Sequence, residues 1–231
     1  NETAKEWGID PKSEMYKLPA MYVGEYAEQD ADLTLKLWQE MKKLMRAEEV
    51  ESIFDVETEL FPCLVDMRFL GVRVDIQEAH SLKQKLVQEE KECLLQVQRE
   101  TGIEPQIWAA RSIEKVFQKL SLPFDRTEKT GAPSFTKNFL QNHPHKLVKL
   151  IARAREINKA HTTFIDTIIK YEHKGRIHAE INQLRSDQGG TVTGRFSYAN
   201  PNLQQIPARN KELGPRIRSL FIPEEGCTWD V

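Results

Sequence analysis

The chain has 231 residues, 39% of them hydrophobic, and a formal net charge of −2, which is enough to bury a core and to hold one or two domains. No run of apolar residues approaches the length of a membrane-spanning helix, and no secretory leader opens the sequence. Cys63, Cys93 and Cys227 are widely spaced, odd in number and without a CxxC pair, which argues against a disulfide framework or zinc site and for a reducing compartment. Asn1 stands first, so upstream sequence is expected.

The small net charge conceals an asymmetry. Residues 1–104 carry 13 Lys/Arg against 23 Asp/Glu, a net of −10, whereas 105–219 carry 20 against 9, a net of +11; the last twelve residues add three acids. A polyanionic partner for the basic stretch is one reading, because neutralised phosphates release counterions. Unevenly distributed solvated charge is the other.

In chain order, apolar positions at Leu33, Leu37, Met41, Leu44 and Met45 predict a helix over 26–48. A second is expected over 53–70, with Pro62 bending it or marking its first turn and Gly71 ending it. After a short β-like step at 72–74, Asp75 and Glu78 form a capping box for a long helix reaching Thr101 and stopped by Gly102. A short basic helix is expected over 106–120, then a loop marked by Pro123, Gly131 and Pro133, a short helix over 134–141, and a last long helix over 146–169. Two long helices around a basic tip make an antiparallel lever arm. Beyond Gly175 the alternation Arg176-Ile177-His178-Ala179-Glu180-Ile181 predicts a half-buried strand.

Residues 189–210 are rich in planar, multidentate side chains: Arg195 offers a forked set of donors, and Asn202, Gln204 and Gln205 each offer donor and acceptor. The minor groove presents acceptors at nearly equivalent places for every base pair, so such donors can test pair shape without reading sequence. A loop whose amides satisfy its own backbone is the alternative for any one of them. The string TGRFS-x-x-x-PNLQQIPAR, from Thr193 to Arg209, resembles the signature that precedes the catalytic palm motif of family A DNA polymerases. That group contains bacterial DNA polymerase I and many phage replicases, and the double Gln is more similar to the phage branch.

The resemblance implies a predominantly helical α+β fold: long antiparallel thumb helices with a short helical tip, then the first strands of an antiparallel palm sheet. It divides the chain into the end of a 3′–5′ exonuclease domain (1–50), a thumb with its connecting helix (51–175) and the start of a palm (176–231). It implies that Arg195 reaches the primer-terminal minor groove, that Asn202 and Gln204 line the primer–template junction, and that Arg209 holds the DNA backbone or the palm loop. Gln205 is either a contact or a turn-shaping residue. Arg155-x-x-x-Lys159-x-x-x-Thr163 resembles the phosphate-contacting stripe of the descending thumb helix, where a spacing of four aligns donors. Arg111, Lys115 and Lys119 at the tip are weaker contact candidates, and Trp108 reads as core or hinge packing in preference to a base-stacking platform.

Tyr26-x-x-x-Asp30 looks like the third exonuclease motif, in which the Asp binds a metal ion and the Tyr positions the attacking water. The two earlier motifs have no counterpart in residues 1–25, so exonuclease activity is not expected from this chain alone. The first catalytic Asp of the palm is expected about two residues beyond Val231, with Asp230 the alternative if the strand here is short. The parent implied by the resemblance uses Mg2+ or Mn2+, primer–template DNA and dNTPs in a bacterial or phage-infected cytoplasm, and no membrane. This stretch by itself is expected to hold no metal tightly and to supply duplex binding. A natural half-polymerase or noncatalytic DNA-binding subunit, completed by a chain carrying palm and fingers, is the alternative.

Overall fold

The computed structural model describes residues 2–10, 12–186, 189–208 and 210–228. The chain divides into two compact units, 1–62 and 63–231.

In the first unit, α1 (Glu2–Glu6) precedes the long α2 (Ala20–Ala47). The expected apolar stripe forms but stays largely in solvent, with Leu33, Leu37, Met41 and Leu44 all exposed. Glu49, in the left-handed region at φ 56°, turns the chain into α3 (Glu51–Leu70), and Arg46 bridges that turn to Glu51 at 3.2 Å. Pro62 lies inside α3, well past its first turn, where it removes one backbone donor.

The second unit is built on the expected lever arm. Gly71 (φ 67°) ends α3, and a Cβ there would come within 2.8 Å of the Ile177 carbonyl, so this crossing admits glycine. After β1 (Val72–Arg73), the Asp75 side chain accepts from the Glu78 amide at 2.8 Å and starts α4 (Ile76–Thr101), which Gly102 closes in a left-handed cap. At the tip, α5 (Ala110–Lys119) begins four residues later than the 106–120 expected for the short basic helix. A β-ribbon of β2 (Asp125–Arg126) and β3 (Pro133–Ser134) and the Thr136-capped α6 (Lys137–Asn142) follow. The descending helix is continuous over three pieces: α7 (Lys146–Lys159), a π-helical segment (Ala160–Ile165) and α8 (Asp166–Tyr171).

The strand expected over 176–181 is divided. Strand β5 (Arg176–Ile177) lies between β1 and β4 (Glu172–His173), while β6 (Glu180–Asn182) pairs with β7 (Ser197–Ala199). One alternating run therefore serves two sheets. A short helix, α9 (Leu213–Arg218), follows the 189–210 segment, its first turn held by Asn210, whose side chain accepts from the Glu212 and Leu213 amides.

Two hydrophobic cores stabilise this unit. One joins α4, the descending helix and α9 through Leu82, Leu86, Ile157, Ile165, Ile217 and Leu220, and so crosses residue 175. The other fills the tip around Phe117, Ile113, Leu140, Leu147 and Ile151. Cys93 packs against both.

Candidate nucleic-acid interface

The 189–210 segment is shaped by its glycines and by polar ties to the helix and strand beside it. At Gly190 (φ 89°) a Cβ would come within 2.1 Å of the Leu184 carbonyl, so the close crossing of the two chain segments requires glycine. The Gly190 amide donates to Ser197 Oγ at 3.1 Å. Asn200 is anchored twice, accepting from the Tyr171 hydroxyl and donating to Glu180, both at 3.1 Å. Pro201 is buried, which seats the following turn.

That turn carries three of the expected contact residues. The Asn202 side chain accepts from the Gln204 amide at 3.1 Å, and Gln204 Nε2 donates to the Phe196 carbonyl at 3.0 Å. Both amides therefore shape their own loop in this arrangement, as the alternative reading had it, while remaining exposed. Gln205 is exposed and lines two neighbouring hollows. Arg195 is exposed on the facing stretch, its carbonyl accepting from Thr191 Oγ1 at 2.7 Å. Arg209 and Asp230 lie outside the described residues.

The descending helix meets this loop. One hollow of about 350 Å³ is lined by Thr163, Thr167 and Lys170 from the helix and by Asn200, Asn202 and Gln205 from the loop. A second brings Lys159 and Lys137 beside Gln205 and Asn210, and a third, towards the tip, is shared by Lys159, Lys137, Arg155 and Trp108. Lys159 and Thr163 are exposed on this track. Glu156 also opens onto it, accepting from Gln141 at 2.5 Å and pairing with Lys137 at 3.9 Å.

Arg155 departs from the expected stripe. Its guanidinium turns into the tip, where Nε donates to the Ile107 carbonyl at 2.6 Å and a terminal nitrogen to the Phe135 carbonyl at 2.7 Å. Burial lowers its pKa. Two of its donors tie two loops to the helix, while the side chain still lines a hollow with Lys159. Trp108 is 61% exposed, which rules out the core half of the core-or-hinge expectation for it. Its indole Nε1 donates to Asn158 Oδ1 at 2.8 Å.

Behind these lies a group that sequence reasoning missed. Asn158 Nδ2 reaches both carboxylate oxygens of Glu90 (3.1 and 3.2 Å), and His161 Nε2 lies 2.6 Å from Glu90 Oε2. Asn158 and His161 are neighbours on the helix, but Glu90 comes from α4, and no local pattern relates it to them. Lys137 was missed for the same reason, since only tertiary packing brings α6 to the track.

In the first unit, Tyr26 and Asp30 do meet on one face of α2. Their side-chain hydrogen bond raises the Tyr26 pKa, with the carboxylate charge adding to the effect. Among the described residues no three His, Cys, Asp or Glu gather to hold a metal ion, so the described donor set does not fit a divalent-metal centre. No described helix is long and apolar enough to cross a membrane.

A helical arm that ends on a polar, glycine-shaped signature loop defines the class, and the chain belongs to DNA polymerase family A, whose sequence profile matches residues 76–230. It is 33% identical to a DNA-directed DNA polymerase of Pseudomonas phage M6 over 98% of this chain and 35% of that protein. It is 34% identical to the thermostable DNA polymerase I of Thermus filiformis over 89% of this chain and 25% of that one. Among solved structures it is similar to the POL domain of Pol1 from M. smegmatis in complex with DNA primer-template and dNTP. That likeness has a TM-score of 0.61 and 25% identity, over 74% of this chain and 30% of the other. The chain thus spans about a quarter to a third of the length of these curated relatives.

Proposed function

We propose that this chain supplies the duplex grip of a DNA-directed DNA polymerase: residues 51–175 act as thumb, 176–231 as the start of the palm, and 1–50 as the end of a 3′–5′ exonuclease domain. The parent reaction is template-directed nucleotidyl transfer onto a primer, and primer–template DNA is the partner of this part. The observation that carries the reading is the shared track, on which Thr163 of the descending helix opens onto one hollow with Asn202 and Gln205, and Lys159 onto the next with Gln205. Cationic and hydroxyl donors along a helix suit successive phosphates of one strand. The exposed Arg195 and the amides of the loop suit minor-groove acceptors at the duplex end. The Tyr26–Asp30 pair supports the exonuclease assignment, and the exposed apolar stripe of α2 fits a helix from a larger domain.

Phosphate contact is read from salt dependence. Lys159→Ala is expected to flatten the slope of log K against log salt for primer–template binding by about 0.9, the share of one neutralised phosphate on duplex DNA. An unchanged slope in a folded variant would mean that the duplex does not run along this track.

A further inference from the structure

An exposed tryptophan alone is ordinary, but Trp108 is held. Its Nε1 is fixed by Asn158 at 2.8 Å, and Asn158 is itself gripped by both oxygens of Glu90. Glu90 is in turn fixed by His161, which is only 6% exposed and whose Nδ1 is buried without a partner. The Arg155 guanidinium, tied to the Ile107 and Phe135 carbonyls, stands 5.4 Å from the centre of the indole. A partly buried polar relay leaves polar groups at risk of going unpaired. Here its outermost member is an indole held in solvent.

The position of that indole matters. It lines the hollow of about 260 Å³ that also contains Lys137 and Lys159, and those two lysines continue into the hollow bordered by Gln205. The track therefore has cationic points, with one carboxylate, Glu156, set beside Lys137, and a flat, rigid, uncharged surface next to them. A nucleic-acid backbone alternates phosphates with apolar sugar faces in the same manner, and a rigid aromatic gives contact area with little conformational entropy to lose.

We propose that Trp108 is a nucleic-acid contact residue whose indole seats a backbone deoxyribose between phosphates neutralised by Lys137 and Lys159. The Arg155 and Asn158–Glu90–His161 groups are the positioning residues that hold the ring ready. This inference rests on the duplex-binding reading above. It differs from it in naming an uncharged contact, which makes the two separable.

The test uses the full chain and two probes, a blunt DNA duplex and a single strand of equal length. With Trp7, Trp38 and Trp229 changed to Phe, the remaining emission reports Trp108 alone and should shift as duplex saturates the protein. Trp108→Ala should weaken duplex binding about threefold to tenfold, the scale of one aromatic contact, and leave the salt slope unchanged. Trp108→Phe should retain most of the affinity. Lys159→Ala, which tests the underlying reading, should flatten the slope instead. Unchanged Trp108 emission at saturation, with Lys159-dependent binding intact, would overturn the contact and leave the duplex reading standing. A larger dependence on Trp108 with the single strand than with the duplex would replace the sugar contact by base stacking. No binding by the parent chain would remove both readings. If Trp108→Ala does not fold, by circular dichroism, the emission of the single-tryptophan protein still decides.

Discussion

Arg155 illustrates how a side chain's role depends on which group reaches it first. The spacing 155, 159, 163 puts three polar side chains near one helical face, yet each step of four advances the face by about 40°. Two carbonyls from separate tip loops, those of Ile107 and Phe135, lie within reach of Arg155 and take its donors. Removing that side chain leaves two carbonyls without their charged donor, at a cost of about 1.5–3 kcal/mol. Arg155→Ala should therefore lower the urea midpoint without changing the salt slope of DNA binding. The reverse outcome, a flatter slope with stability untouched, would return Arg155 to the phosphate stripe.

Between elements, the arm is joined to the helix that follows the signature loop by charge as well as by the shared core. Glu89 of α4 receives a bidentate grip from Arg216 of α9 (2.7 and 3.2 Å) and lies 3.8 Å from Arg153 of α7, which also pairs with Glu212. The Arg216 hydrogen bonds hold the Glu89 carboxyl below its ordinary range, and the same bonds raise the Arg216 pKa. A depressed carboxylate contributes stability that is fully present above its unfolded value. The contribution is lost as pH falls through the lower folded value. Because Glu89 is partly exposed, the contribution is screened to on the order of 1 kcal/mol. Glu89→Gln should be less stable than the parent at pH 7, and the gap should close only well below about pH 4.3. A gap that persists unchanged through strong acid would show that the amide perturbs packing instead. The π-helical segment belongs to this scale too, since it lies between Lys159 and Asp166 and carries both the buried His161 and the exposed Thr163.

For the second unit as a whole, the consequence of having two cores is separable stability. Phe117 is fully buried at the centre of the tip cluster, with the rings of Phe124, Phe135 and Phe139 centred 4.8 to 6.1 Å from its own. Phe117→Ala should cost about 3–5 kcal/mol within that core. Amide protection in α5 and α6 should fall first, while the part of α4 around Leu82 and Leu86 and the α9 segment keep theirs. Uniform loss across both regions would mean that Cys93 and the continuous helices make one cooperative unit.

Local chemistry determined most of the scaffold. Apolar spacing, the Asp75 cap and the terminating glycines Gly71 and Gly102 specify the long helices because they act within one or two turns of the backbone. The order of residues from Thr193 to Arg209 identified the family, and the i, i+4 spacing of Tyr26 and Asp30 was sufficient for them to meet. What the tertiary structure decided is what lies opposite each side chain. It divided the 176–181 alternation between two sheets, because hydrogen-bonding partners, not alternation, define a strand's sheet. It gave two of the Arg155 donors to loop carbonyls and brought Lys137 to the hollows beside Lys159. It also set Trp108 in solvent on a relay through Asn158 and His161 of the descending helix and Glu90 of α4, which no local sequence pattern relates to them.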